Sequence, residues 1–371
     1  MRSFGRPVES APRIPGIRPP VPSPAPDDAV AGDRDQLSDR TISKWREHVK
    51  PFVSPVLVCL IAGGVQGSAA EVSRIELLPL QTVTVTEEQF LTASRDGRPV
   101  TIAVELRLPA TAAARVPAVV LLHGSGGANT RDDRWSRDLN DLGVATLLVD
   151  SFTGRGIVST VADQSQLSEL TGIIDAYRAL ELLAKHPRID VTRIGLLGGS
   201  RGGMSTLYAS INRFRRMYAP AGADFAVYMS FYPPCSRTYM DDTDVVERPI
   251  RLFHGTADDV APLAQCLSYV KRLQAAGRDA QLTEYAGAYH GFDNPLTPVR
   301  PAGPQTTRRG CDLYEQSVGR VLNRETGLPL TRNDECLKGG GPPGYDARAH
   351  AKAVEDVKAL LQRVFKLEPA R

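Results

Sequence analysis

The stretch Ile194-Gly195-Leu196-Leu197-Gly198-Gly199-Ser200-Arg201-Gly202-Gly203-Met204 decides the fold. Ile194 to Leu197 is a short apolar run of the kind that forms a strand buried on both faces, and a helical pattern begins near Met204. Between them Gly198, Ser200 and Gly202 fit G-x-S-x-G on a strand-to-helix turn. A serine on so sharp a turn must adopt strained backbone angles, and small residues two positions to either side let strand and helix approach without clash. The strain presents Oγ, and the N–H of Arg201, in the first helical turn, points to where a carbonyl oxygen would gain negative charge. A glycine-rich structural turn would satisfy the same pattern, so the partners of Ser200 decide its reading.

Outward from this turn, short apolar runs alternate with helical patterns from Glu71 onward, the signature of a mostly parallel sheet with helices on both faces. Val100 to Leu108 reads as an early antiparallel strand. Pro117 to Leu122, Val144 to Val149, Ile194 to Leu197, Phe225 to Phe231, Ile250 to Phe253 and Leu282 to Tyr285 read as central strands. Helical spacing is clearest in Leu167 to Ala184 and in Ala347 to Phe365. Residues 294–345 are rich in Pro and Gly with little periodicity, and read as a loop-rich insertion, a lid or a decorative excursion, that a Cys311–Cys336 disulfide would staple.

The chain has 371 residues, 42% hydrophobic and 23% charged, enough to bury a large core. A net charge of +3 with dispersed Lys and Arg excludes the basic stripe a phosphate backbone requires, so nucleic acid is not an expected partner. Residues 1–48 carry no sustained periodicity and read as disordered or untranslated. Residues 49–70 have a basic flank, an apolar run from Phe52 to Val65 and a small-residue end at Ser68-Ala69-Ala70, the layout of a secretory signal cleaved after Ala70. Translation from Val49 would place that signal at a true start. The run falls short of the roughly 20 residues that span a bilayer and is broken by Pro55 and Gly63-Gly64, so no stable membrane insertion is expected after cleavage. Val58 ahead of Cys59 argues against a lipidated cysteine.

Removal of Cys59 with the signal leaves Cys235, Cys266, Cys311 and Cys336, an even set suited to an oxidising compartment, periplasmic or extracellular. Four cysteines allow three pairings, and free buried thiols in a cytosolic enzyme are the alternative. No spacing suggests zinc.

A serine hydroxyl needs a base, and histidine has the suitable pKa. With sheets of this kind the order is serine, acid, histidine. Beyond Ser200 lie His254, which ends a strand, His350, inside the last helix, and His290, in a loop after the last strand; His290 is therefore the expected base. In Gly255-Thr256-Ala257-Asp258-Asp259-Val260-Ala261-Pro262 the expected acid is Asp258, with Asp259 open; one aspartate could cap the helix near Pro262 while the other orients the histidine. His123-Gly124-Ser125-Gly126-Gly127 supplies a second oxyanion donor, the N–H of Ser125 or else of Gly126. The loop lacks the spacing of a nucleotide cradle.

Taken together, the loop 123–127, Asp150-Ser151-Phe152-Thr153-Gly154-Arg155-Gly156, Phe231-Tyr232-Pro233-Pro234-Cys235, the acid loop and Tyr285 to Asp293 resemble, in kind and order, exported members of the dienelactone hydrolase family. The resemblance implies an α/β-hydrolase fold with an eight-stranded sheet over residues 71–371, no cofactor, and a Cys235–Cys266 disulfide. The family's namesakes use a cysteine nucleophile where this chain has Ser200. Serine favours oxygen esters, so the expectation is hydrolysis of a small ester or lactone through an acyl-enzyme, with a peptidase, an acyltransferase or a non-catalytic binding protein as the other readings. Arg155 is a candidate for binding an acidic substrate, although a structural anchor for its loop is the reading the sequence favours. Phe152, Tyr232 and Phe292 are candidate pocket walls or plain core.

Overall fold

The computed structural model describes residues 72–111, 113–299 and 306–367, and the readings of residues 1–48 and 49–70 fall outside them. Eight strands form one sheet in the spatial order Val72–Thr84, Arg98–Pro109, Ala145–Asp150, Val116–Leu122, Ile189–Gly199, Val227–Phe231, Ile250–Gly255 and Ala280–Tyr285. The first two strands pair antiparallel with each other, and Arg98–Pro109 is antiparallel to Ala145–Asp150. From Ala145–Asp150 onward every pairing in this sheet is parallel.

Alternation along the central strands sends successive side chains to opposite faces. Val120 and Leu122 join Leu196, Ile173, Leu180 and Met204 in one apolar layer. Val119 and Leu121 join Trp135, Leu139, Leu197, Val357 and Leu361 in the other. The helices Thr171–Lys185, Arg201–Tyr208 and Leu263–Ala275 cover the first face, and Thr130–Asn140 and Ala347–Phe365 cover the second. Both faces are dry, which is why the central strands read as continuous apolar runs.

Every strand expected from the sequence is present, and Val72–Thr84 is an eighth that the pattern concealed. Leu80 and Thr82 of this edge strand are buried, but Ile75 and Leu77 on its other face are exposed, which erases the usual alternation. Pro79 lies mid-strand, a position tolerated at a sheet edge. The segment 306–345 is not structureless either. Leu313–Ser317 and Arg320–Asn323 form a hairpin whose first strand pairs in parallel with Arg237–Thr238, and Thr306–Thr307 pairs with Lys338–Gly339. Disulfides join Cys311 to Cys336 and Cys235 to Cys266. Among the described residues no helix is long and apolar enough to cross a membrane.

Candidate active site

Ser200 takes φ 54° and ψ −114°, a left-handed conformation that costs on the order of 1–3 kcal/mol for a non-glycine residue. Its N–H donates to Phe231 O at 2.9 Å, which ties the turn to the neighbouring strand. The flanking glycines are required sterically. A Cβ on Gly198 would sit 2.2 Å from Gly202 O, and one on Gly202 would sit 2.3 Å from Leu122 O.

His290 and Asp258 reach this serine from loops after the last two strands. His290 Nε2 lies 2.8 Å from Ser200 Oγ, and His290 Nδ1 lies 2.8 Å from Asp258 Oδ2. The carboxylate only accepts, so Nδ1 carries the proton and Nε2 is left to accept from the serine hydroxyl. Burial alone would raise the Asp258 carboxyl, but electrostatic attraction to His290 and hydrogen bonds from His254 and His290 outweigh it and hold the group well below the usual carboxylate range. Asp258 Oδ1 accepts the N–H groups of Val260 and Ala261, both at 2.9 Å. Asp258 therefore orients the histidine and ties its own loop, while the helix that begins at Leu263 has no side-chain cap, so neither aspartate takes the capping role that the sequence had allowed. Asp259 is 66% exposed and faces Arg309 at 3.4 Å. His254, fully buried, lies 2.7 Å from Ala261 O and 3.4 Å from Asp258 Oδ2, bracing the acid loop.

The glycine-rich loop closes a turn in which Gly127 N–H donates to Gly124 O at 3.2 Å, leaving Ser125 and Gly126 as its central residues. A Cβ built on Gly124 would lie 3.6 Å from Ser200 Cβ, so the loop lies against the serine. His123 Nε2 accepts Ser151 N–H at 3.1 Å, which makes Nδ1 the protonated nitrogen and lets it donate to Gly124 O at 2.8 Å. The N–H groups of Ser125, Gly126 and Arg201 make no hydrogen bond among the described residues.

Other expectations are corrected by packing. The five N–H donors of Arg155 go to Asp175 Oδ1 and Oδ2, Ser151 O, Thr84 Oγ1 and Val83 O, leaving none for a substrate carboxylate. Phe292 is fully buried against Tyr285 and Tyr232, and is core, not pocket wall. Tyr232 sets its ring edge to His290 at 4.7 Å, while its hydroxyl donates to Asp293 Oδ1 at 2.5 Å and accepts from Arg131 Nε at 2.9 Å. It backs the histidine and is nearly inaccessible. Phe152 is also buried and borders a small cavity of about 20 Å³ beside Arg201.

The sequence reading missed the buried ionic group behind Tyr232. Arg131 Nε and Trp135 Nε1 both donate to Asp293 Oδ2 at 2.8 Å. Burial alone would lower the Arg131 guanidinium, but Asp293, Tyr232 and Asp132 outweigh it and raise it above its usual range. Asp293 stands three residues after His290, yet its partners Tyr232, Trp135 and Arg131 lie 61, 158 and 162 positions away, and no local pattern joins them. A second miss is a larger polar cavity of about 420 Å³ lined by Gln164, Leu167, Glu169, Arg237 and Arg308 among others. Among the described residues no cluster of His, Cys, Asp and Glu is arranged to hold a metal ion.

The family model for the dienelactone hydrolase family matches residues 102–365. A dienelactone hydrolase-like promiscuous phosphotriesterase, P91, from metagenomic libraries is similar in structure, with 18% identity and a TM-score of 0.51 over 78% of this chain and 98% of that one. Esterase 2 of Thermogutta terrifontis, phosphorylated by paraoxon, gives 16% identity and a TM-score of 0.49 over 81% and 98% of the respective chains. The uncharacterized peptidase YuxL of Bacillus subtilis (strain 168) is 25% identical over 143 residues, 32% of this chain. The match spans 22% of that relative's length.

Proposed function

The chain belongs to the dienelactone hydrolase family, and from that premise we propose that this hydrolase cleaves small carboxylic esters or lactones through an acyl-enzyme on Ser200. The observation that carries the reading is the chain of two 2.8 Å contacts from Ser200 Oγ through His290 to Asp258. Ser200 Oγ attacks the carbonyl carbon and its proton passes to His290 Nε2, while Asp258 stabilises the imidazolium. The carbonyl oxygen takes up the electron pair and is met by the N–H groups of Arg201 and of Ser125 or Gly126. Collapse of this adduct breaks the bond to the leaving oxygen, which takes the proton from His290. Water then repeats the sequence on the acyl-enzyme, and the serine proton is restored.

Short-chain nitrophenyl esters are expected to be turned over, and a fluorophosphonate to label Ser200 covalently. Ser200→Ala should lower kcat by about 10⁶ with the fold intact. Labelling without ester turnover, but with turnover of aminoacyl nitroanilides, would favour the peptidase reading that the name of the Bacillus relative supports. Failure to label would favour a binding protein. The two disulfides support maturation in an oxidising compartment, with residues 49–70 as the export signal. Protein recovered from an exporting host should then begin at Glu71, and a retained leader would sink that part of the reading.

A further inference from the structure

The two N–H donors assigned to the oxyanion come from segments far apart in the chain, Ser125 after one strand and Arg201 after another. Their separation must be fixed before substrate arrives, because a preorganised donor contributes only if it is already in place. Backbone pairing between the two strands sets the base of each loop, not its tip. Among the described residues one side chain hydrogen-bonds to both tips. Gln164, in the short 3₁₀ turn Gln164–Gln166, accepts from Arg201 Nη1 at 2.9 Å and donates through Nε2 to Ser125 Oγ at 3.0 Å. The guanidinium has only donors, so the amide oxygen must face Arg201 and the nitrogen must face Ser125. The same segment also grips the Ser125 backbone: Ser125 O accepts the N–H of Thr160 at 2.8 Å and the hydroxyl of Ser159 at 3.1 Å.

We propose that Gln164 is a positioning residue that sets the spacing of the two oxyanion donors. The inference rests on the serine-hydrolase reading and adds a residue that never touches the reacting atoms. The turn carrying Gln164 is anchored in turn by the insertion. Asp163 Oδ1 caps it through Ser165 N–H at 3.0 Å, and Arg332 Nη2 donates to Asp163 Oδ2 and Ser165 Oγ, both at 2.9 Å. Thus the elbow and the glycine-rich loop meet at one amide, and the insertion holds the residues on either side of it.

The test uses the mature enzyme and three variants: Gln164→Leu, which keeps length without hydrogen bonds, Ser125→Ala, which keeps the backbone N–H, and the pair combined. Gln164→Leu is expected to lower kcat by about 10- to 100-fold, less than outright loss of a donor, with KM within about twofold. The rate of Ser200 labelling by a fluorophosphonate should fall in parallel. Ser125→Ala should cost a similar factor, and the double variant no more than the larger single loss, because both break one tie. A Gln164→Leu enzyme with kcat within about twofold of wild type, a rise confined to KM, or losses that multiply in the double variant would overturn the inference. Absence of labelling in the unaltered protein would instead overturn the serine-hydrolase reading beneath it.

Discussion

The sheet edge that carries Ser200, His290 and Asp258 and the cover formed by residues 159–170 with the insertion are held by different means. At the sheet edge each side chain of the proposed triad follows a strand by a few residues, and apolar layers cover both faces of that sheet. The cover has short strands, a satellite apolar cluster around Cys311, Leu313 and Cys336, a disulfide, and ion pairs such as Arg308–Glu169 and Arg332–Asp163. The fold itself places the chemistry, whereas pairs of side chains distant in sequence place what surrounds it. Active sites set on rigid elements with variable surroundings let one scaffold serve many substrates.

The comparison is sharpest at the acid loop, where two adjacent aspartates have opposite surroundings. Asp258→Asn is expected to lower kcat by about 10⁴, since the amide would impose the wrong histidine tautomer while leaving the geometry intact. Asp259→Asn should leave kcat within about twofold, because its exposed carboxylate has only a surface pair with Arg309. Comparable losses from the two substitutions, read in nitrophenyl ester kinetics, would break the contrast.

This difference also governs what could be read in the sequence. Ser200, His290 and Asp258 were legible because each stands at a fixed offset from a strand end, and strand ends announce themselves through apolar runs and glycine. The central strands were legible for the same reason. Val72–Thr84 was not, because exposed Ile75 and Leu77 hide the burial of Leu80 and Thr82. Gln164 and Arg131 carry no periodicity or motif, and Asp293 ends a recognised stretch that gives no sign of its partners; their meaning lies in contacts 37, 101 and 162 positions distant. Arg155 shows the converse. Its motif was legible, but whether a guanidinium binds substrate or braces a loop depends on Asp175, and that contact exists only after folding.

Inside the cover the next largest effect is expected at Glu169. Burial alone would raise this carboxyl, but Arg308, Arg237 and Arg201 outweigh it and hold the group well below the usual range. Arg237 is itself buried and keeps Glu87 at 3.1 Å, so Glu169→Gln removes one of its two carboxylate partners, at a cost of about 1–3 kcal/mol. The folded-state pKa is depressed, so this contribution is present above the unfolded-state value of 4.5 and is lost as pH falls below it. Denaturant midpoints should therefore show a constant gap between wild type and variant at neutral pH that narrows toward acid. A gap that widens on acidification would mean that Glu169 is not held ionised.

The two disulfides give the finest division between the regions. Cys235–Cys266 ties the segment after a core strand to the helix Leu263–Ala275, and Cys266 belongs to the main apolar layer. Cys311–Cys336 closes a loop of similar length, with sequence separations of 31 and 25, but within the satellite cluster. Loop-closure entropy alone would assign each about 3.5 kcal/mol, so the sequence separations predict almost no difference. Cooperative units predict one, because a cross-link stabilises the unit whose unfolding it restricts. Replacing Cys235 and Cys266 with Ala should lower the global unfolding midpoint. Replacing Cys311 and Cys336 should leave that midpoint nearly unchanged, while proteolysis within 306–345 quickens. If the second pair lowers the global midpoint as much as the first, the insertion unfolds together with the sheet, and the cover is as much a part of the cooperative core as the strands that carry the serine.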